Sequence, residues 1–251
     1  MIYYGQITYS EEFEGTKKCV AAATGHVDQF IIVEDGSLSN EQKASLMQYG
    51  NVTILTREWQ DNFPSYRNYY ISEARRIANE KHDNAPWMLV SDSDEYFNDA
   101  LLRDLRAITS DMTKLGHDLA KINCRDAFTA VEWIDNLDIL EKVPTEGRKS
   151  SFYKDLLFKL YPDLMYIGVG DTKSVHETFS RQRWNTVDLS GDKYWYVHAK
   201  SSLKIWLRAA MNFFIGGGGN NVGTQNIHWK SFRELCSKHG INTSAQFKKA
   251  L

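Results

Sequence analysis

Residues 87–97 place acidic side chains directly after a short apolar run. The run at 87–90 follows a proline, includes a β-branched residue and lacks helical spacing, so it predicts a buried strand. Asp92, Asp94 and Glu95 come where that strand ends. In an open α/β sheet, the carboxyl ends of the strands border the ligand-binding crevice. This stretch therefore predicts a site at one edge of a sheet.

The three acids repel one another unless a positive charge compensates them. A hard divalent cation held by carboxylate oxygens is the usual solution, and it could hold the phosphates of a nucleotide. The alternative is a solvated loop whose acids precede a helix that Asn98 or Asp99 caps. A short motif is only a hypothesis until its structural context agrees with it. The choice between a cation site and a solvated loop therefore depends on the rest of the chain.

The chain before this stretch alternates between predicted strands and helices. The run at 30–33 is apolar throughout, which is typical of a strand buried on both faces, and it also ends in acids, Glu34 and Asp35. Such alternation predicts an α/β fold with a single mostly parallel, Rossmann-like sheet flanked by helices. In chain order, the predicted elements are a strand over 2–9, a helix ending near Ala23, the strand over 30–33, a helix over 41–49 and a strand over 52–55.

A longer helix is predicted from Pro64 to about Lys81, because its apolar residues lie three and four positions apart. Arg67 falls in the first turn of this helix, where the helix dipole disfavours a cation. A nearby anion would compensate this arrangement, either a phosphate or an acidic side chain. The other interpretation is a pairing of Arg67 with a surface carboxylate.

The pattern after residue 110 is less regular. A strand over 165–169 precedes a polar segment that contains Asp171, His176 and Glu177, and His198 ends another predicted strand. The last fifty residues or so contain two predicted helices, over 206–213 and 229–239, with a glycine tract at 216–219 between them. We therefore expect a C-terminal helical segment.

Composition limits the class of protein. With 251 residues, 42% hydrophobic and 25% charged, the chain is typical of a globular domain. A net charge of -2 provides no general basic field for nucleic acid or an anionic membrane. Three scattered cysteines without CxxC spacing favour a reducing compartment. Since no segment has the length of a membrane span or the pattern of a signal peptide, we expect a soluble cytoplasmic protein.

The order of these features resembles the family 2 glycosyltransferases. The resemblance extends over about residues 2–180, and it implies the type A glycosyltransferase fold, a single α/β unit. Residues 1–110 would then be the nucleotide-sugar-binding half, 111–200 the acceptor-binding half and 201–251 a C-terminal helical extension. The segments that carry the resemblance are 31–37, 63–68, 87–95, and 166–168 together with 175–177.

The resemblance implies a metal-dependent transfer of a sugar from a nucleotide-sugar donor to an acceptor hydroxyl, with inversion. Asp35 would accept a hydrogen bond from the base, and Tyr9 would stack on that base. Arg67 would face the diphosphate or the base. Asp92 and Asp94 would form the motif for Mn²⁺ or Mg²⁺, with Asp94 as the direct ligand, and the ion would neutralise the diphosphate leaving group.

An inverting transfer also needs a general base. The resemblance assigns Glu177 to this role, with Asp171 as the alternative. His198 would complete the metal shell or contact a phosphate, or else it is a packed, hydrogen-bonded histidine. The family often has two aspartates after the second strand, whereas this chain has Glu34 before Asp35, so the resemblance assigns no role to Glu34.

Two other functions stay open: a non-catalytic nucleotide- or sugar-binding module of the same fold, and a nucleotidyltransferase. A nucleotidyltransferase usually carries a glycine-rich basic loop after its first strand, and residues 8–12 do not form one. The presence of both Asp94 and Arg67 argues against a module without activity. The expected acceptor is a glycan or another hydroxyl, with a modified DNA base as a less frequent alternative.

Overall fold

The computed structural model describes residues 1–58, 62–129, 149–168, 177–189 and 193–201. Contacts divide the chain into two units, and the first, Met1–Arg125 with Arg148–His198, contains the candidate site. The predicted C-terminal helices and the glycine tract lie outside the described residues. The functional division at residues 110 and 200 stays a prediction.

The first four strands form a parallel half-sheet. They lie side by side in the order β3-β2-β1-β4, and each neighbouring pair is parallel. Thr8 is level with Glu34, and Gln6 with Ser91, so the carboxyl ends of three strands meet at one edge. The strands are β1 (Ile2–Thr8), β2 (Gln29–Glu34), β3 (Val52–Thr56) and β4 (Trp87–Ser91).

Helices connect these strands. The right-handed crossover rule predicts α1 and α2 on one face of the sheet and α3 on the other, because the chain moves outward from β1 to β3 and then returns to β4. Accordingly, α1 contacts α2, whereas α3 packs against β1 and β2. Ser39 caps α2 in a capping box with Gln42. The helices are α1 (Phe13–Ala23), which follows a 3-10 turn at Ser10–Glu12, α2 (Asn40–Met47) and α3 (Phe63–Glu80).

The other half of the sheet is largely antiparallel. Its elements are β5 (Glu95–Phe97), α4 (Asp99–Leu115), β6 (Leu119–Thr129), β7 (Lys149–Lys159), β10 (Thr186–Asp188) and β11 (Trp195–Ser201). The order continues β4-β7-β6-β11-β5, in which β7 is antiparallel to β4 and β6, and β11 is antiparallel to β5. Strand β10 lies parallel to β6. Two short antiparallel strands, β8 (Tyr166–Gly168) and β9 (Glu177–Phe179), form a separate pair.

The predicted α/β class, with a sheet flanked by helices, is confirmed. The sheet is mixed, however, and a Rossmann-like parallel arrangement does not describe it as a whole. Strands β2 and β4 are buried along their entire length, as their continuous apolar runs predict. Within the described part of the chain, no helix is long and apolar enough to cross a membrane.

Candidate functional site

Three predicted site residues, Tyr9, Asp35 and Asp92, follow neighbouring parallel strands at the same edge of the sheet. The strand order reverses between β1 and β4, and α/β proteins form their ligand crevice at such a point. Burial raises the pKa of Tyr9, and the negative charge of Glu12 raises it further. The charges of Asp92 and Asp35 also raise this pKa, whereas the charge of Arg67 lowers it. The structure thus brings the four predicted donor-site residues into one neighbourhood.

Arg67 joins the start of α3 to the end of β4. Its Nη2 atom donates a hydrogen bond to Asp92 Oδ1 over 2.9 Å. The Arg67 side chain is buried, whereas a third of the Asp92 side chain is exposed. Burial would raise the pKa of Asp92, but the charges of Arg67 and Lys154 lower it well below its usual range. The anion that compensates Arg67 at the helix start is therefore an acidic side chain.

Lys154, on β7, lies between two carboxylates of the acidic stretch. Its Nζ atom is 3.1 Å from Asp92 Oδ2 and 2.5 Å from Glu95 Oε1. The second oxygen of the fully buried Glu95, Oε2, accepts a hydrogen bond from the Asp92 backbone N–H over 3.0 Å. Burial would lower the pKa of Lys154, but Asp92 and Glu95 raise it, so the ammonium stays charged. Two of the three acids are thus compensated by side chains of the protein itself.

Lys154 was not among the predicted site residues, and Glu95 was expected to follow the end of the strand over 87–90. Glu95 in fact begins strand β5. The available signal for Lys154 was its position in a strand that continues into the apolar residues Leu156 to Phe158. A lysine is rarely directed inward from such a strand unless a carboxylate pairs with it. That signal does not tell which carboxylate is the partner.

Asp94 and His198, two of the predicted metal ligands, lie together. His198 Nε2 is 3.5 Å from Asp94 Oδ2, and each side chain is about a quarter exposed. The ladder between β5 and β11 sets this proximity, because it pairs His198 with Glu95. Among the described residues, no group of three or more His, Cys, Asp or Glu side chains could hold a metal ion. The predicted ion therefore has two candidate ligands here, and Asp92 is engaged with Arg67 and Lys154.

Helix α1 and the 3-10 turn that precedes it pack against the turn that contains Ser93. The Ser93 hydroxyl donates a hydrogen bond to the Glu12 carboxylate, and Cys19 Sγ lies 3.3 Å from the Glu95 carbonyl oxygen. A Cβ atom at Gly15 would clash with the Ser93 carbonyl oxygen. Helix and turn can approach this closely only because Gly15 has no side chain.

Glu34, to which the resemblance assigns no role, holds the loop that follows β2. Its buried carboxylate accepts hydrogen bonds from the loop after β2, which contains Asp35, and from the elements beside that loop. Asp35 Oδ1 in turn accepts a hydrogen bond from the Ser37 backbone N–H over 3.0 Å. Glu34 thus holds the loop that presents Asp35 at the sheet edge. Its donors are the Gly36 N–H at 2.7 Å, the Leu38 N–H at 3.3 Å, Lys43 Nζ at 2.9 Å and the Thr56 hydroxyl.

Asn68, beside Arg67, connects α3 to strand β8. Its Nδ2 donates to the Tyr166 carbonyl oxygen over 2.9 Å, and its Oδ1 accepts from the Tyr166 N–H over 2.7 Å. The Arg67 guanidinium lies 5.5 Å from the centre of the Tyr166 ring. In the adjacent strand β9, Glu177 pairs with Gly168 through the backbone. The alternative base, Asp171, lies outside the described residues.

No known family model matches this chain. No curated protein matches it either. Among solved structures, the crystal structure of mannose-6-phosphate isomerase from Helicobacter pylori matches with a TM-score of 0.34 and 13% sequence identity. The match covers 49% of this chain and 50% of that chain, so it spans about half of each. At this TM-score the likeness identifies neither a fold nor a function.

Proposed function

We propose that the protein is a glycosyltransferase that moves a sugar from a nucleotide-sugar donor to an acceptor hydroxyl. The observation that supports this proposal most directly is the convergence of Tyr9, Asp35, Arg67 and Asp92 where the strand order reverses. An aromatic ring and a hydrogen-bond acceptor suit a nucleobase, and a buried guanidinium suits a diphosphate. The proposal includes the type A glycosyltransferase fold that the sequence segments resemble.

In this proposal, the base contacts Tyr9 and donates a hydrogen bond to Asp35, while the diphosphate lies against Arg67. Negative charge grows on the diphosphate as its bond to the sugar carbon breaks, and a cation already in place stabilises that charge. Glu177 accepts the proton of the acceptor hydroxyl as this oxygen attacks the same carbon from the opposite side, with Asp171 as the alternative base. The products are the glycosylated acceptor and a nucleoside diphosphate.

The predicted Mn²⁺ or Mg²⁺ belongs to the same proposal. Asp94 and His198 are the described residues that would hold it, because their side chains face each other. A bound ion would add positive charge beside the diphosphate. Asp92 would contribute little to the ion, since Arg67 and Lys154 already engage both of its oxygens.

Nucleotide binding is the first step to test. Thermal unfolding should be followed with uridine, guanosine, cytidine and thymidine diphosphates, each with Mn²⁺ or with chelator. A ligand at one hundred times its dissociation constant adds about 2.7 kcal/mol, which should raise the midpoint by roughly 5–10 °C in a chain of this size. Asp35→Ala should abolish the shift, whereas Asp111→Ala, an exposed position on α4, should not. No shift with any diphosphate would contradict the proposal.

Turnover separates the proposed enzyme from its alternatives. A glycosyltransferase should slowly hydrolyse its donor when no acceptor is present, whereas a binding module should retain the nucleotide sugar intact. Release of pyrophosphate from a nucleoside triphosphate and a sugar phosphate would instead indicate a nucleotidyltransferase. Glu177→Gln should keep donor binding and lose turnover, with the neighbouring exposed Thr178→Ala as the control. Normal turnover by Glu177→Gln would move the base to Asp171.

A further inference from the structure

We propose that Lys154 is a diphosphate-binding residue whose ammonium takes the place of a divalent cation at the end of β4. The identity of the ligand rests on the proposed function, whereas the position of the cation follows from the contacts of Lys154 itself. No motif in the sequence assigns Lys154 to the donor site.

The ammonium occupies the space that an ion between two of the acids would need. Lys154 Nζ lies 3.1 Å from Asp92 Oδ2 and 2.5 Å from Glu95 Oε1. A divalent cation bound by the same two carboxylates would lie about 2.0–2.6 Å from their oxygens. The ammonium and such an ion therefore exclude each other. Asp92 and Glu95 can bind a metal together only after Lys154 has moved away.

The carboxylates and the cations at this point are paired with one another. Asp92 faces Arg67 and Lys154, and Glu95, whose pKa burial raises, faces Lys154. A diphosphate that approaches the cluster meets cations whose carboxylate partners keep them in place. Such preorganised charge stabilises a leaving group without reorganisation at the moment of reaction.

Lys154 can also reach a ligand. Among the described residues, its ammonium makes hydrogen bonds to Asp92 and Glu95, and an ammonium has three N–H donors. The Lys154 side chain is 29% exposed, and that of Asp92 is 33% exposed, so this end of the cluster is open to solvent. One N–H donor is thus left for a phosphate oxygen.

The sheet sets the position of this lysine. In the antiparallel pair of β4 and β7, Leu89 is opposite Leu157. Continued three residues beyond that pair, the register places Lys154 opposite Asp92, the residue that follows β4. A side chain placed by strand pairing is held more firmly than one on a loop, which suits a residue that has to replace an ion.

The first test needs no nucleotide. Mn²⁺ binding should be measured by the loss of the electron paramagnetic resonance signal of free Mn²⁺, for wild type, Lys154→Met and Lys43→Met. Lys43 is the matched control, because it is also 29% exposed and pairs with a fully buried glutamate, Glu34. Lys154→Met should bind Mn²⁺ about ten-fold more tightly than wild type, since it frees two adjacent carboxylates. Lys43→Met should not. Equal Mn²⁺ affinities of wild type and Lys154→Met would overturn the proposal.

A second pair of variants keeps the test decisive if Lys154→Met fails to fold. Lys154→Arg retains a cation and should bind Mn²⁺ as weakly as wild type does. The double variant Lys154→Met with Glu95→Gln removes the buried carboxylate as well as its partner, so it should fold and show no gain in Mn²⁺ affinity. A gain of the same size in Lys154→Arg or in the double variant would contradict the assignment of Lys154.

Nucleoside diphosphate binding in chelator tests the ligand. Wild type should bind the preferred diphosphate without metal, and Lys154→Met should lose about ten-fold in affinity there and regain part of it with Mn²⁺. If wild type binds the diphosphate only with Mn²⁺ and Lys154→Met has no effect, the role of Lys154 is overturned and the proposed function is not. No binding of any diphosphate to wild type under either condition would contradict the proposed function, and with it the diphosphate as ligand.

Discussion

Arg67 Nη2 donates a hydrogen bond to Asp92 Oδ1 over 2.9 Å, and this contact joins two segments that are 25 residues apart in the chain. Arg67 lies near the start of α3, a helix that packs against β1 and β2, while Asp92 follows the strand beside β1. The helix dipole disfavours a cation at this position, so the carboxylate is what makes it stable. The pair thereby keeps a buried guanidinium at the carboxyl edge of the sheet.

Replacement of Arg67 should weaken nucleotide binding more than it weakens the fold. A hydrogen bond to a charged group contributes about 1.5–3 kcal/mol, so Arg67→Met should lower nucleoside diphosphate affinity by roughly ten- to a hundred-fold. Arg67→Lys should recover only part of this loss, since a lysine cannot reproduce the planar guanidinium. Titration calorimetry would measure both variants. Arg76→Met, at an exposed position on the same helix, is the control, and an equal loss there would contradict the role of Arg67.

Gly15→Ala changes stability through two effects of opposite sign, helix propensity and packing against Ser93, so its net effect shows which of them is larger. Propensity within a helix favours alanine over glycine by up to about 1 kcal/mol. The added Cβ atom, however, would meet the backbone carbonyl oxygen of Ser93, which cannot rotate away as a flexible side chain could. We therefore expect a lower melting temperature and weaker nucleotide binding. A variant as stable as wild type or more so would show that the turn at Ser93 can shift freely.

Glu34 should make stability depend on pH in the acid range. Burial would raise the pKa of Glu34, but hydrogen bonds from Thr56 and Lys43 lower it below its usual value of 4.5. The unfolded chain then takes up a proton at higher pH than the folded chain does. This contribution to the free energy of unfolding is therefore fully present above about pH 4.5 and is lost as pH falls through the folded pKa.

Glu34→Gln should remove that dependence. It should lower the melting temperature at pH 7 by roughly 5 °C, since the lost charged hydrogen bonds contribute about 2 kcal/mol. It should also flatten the decrease in melting temperature between about pH 5 and pH 3. Calorimetric scans over that range would measure both effects, with the exposed Glu14→Gln as the control. A variant with the wild-type slope would exclude Glu34 as its source.

Asn68→Ala should release strand β8 from α3. Both backbone polar groups of Tyr166 would lose their partner, and an unsatisfied buried group costs about 1–3 kcal/mol. Amide hydrogen exchange at Tyr166 should become faster, and the melting temperature should fall. Asn68→Asp can still accept a hydrogen bond from the Tyr166 N–H but cannot donate one to its carbonyl. Its exchange rate and melting temperature should therefore lie between those of wild type and Asn68→Ala. Ser72→Ala, exposed on the same helix, should leave the exchange at Tyr166 unchanged.

Local pattern was sufficient to predict the parallel half of the fold. The continuous apolar runs of β2 and β4 indicate burial on both faces, and Asn98, one of the two predicted capping residues, caps α4. Strand β5 was not predictable, because three residues are too few to show a period. Its first residue, Glu95, is an acid that only a partner from another strand makes acceptable in the interior.

The candidate site, like the fold, was predictable from the sequence only in part. The sequence by itself determined that Tyr9, Asp35 and Asp92 lie at one edge, because parallel strands that alternate with helices end on the same side of a sheet. It also predicted a compensating charge for the acidic stretch. Only the tertiary structure decided that this charge belongs to Lys154 and Arg67. The partner on β7 is set by the antiparallel register of two strands about sixty residues apart, and no local pattern encodes such a register.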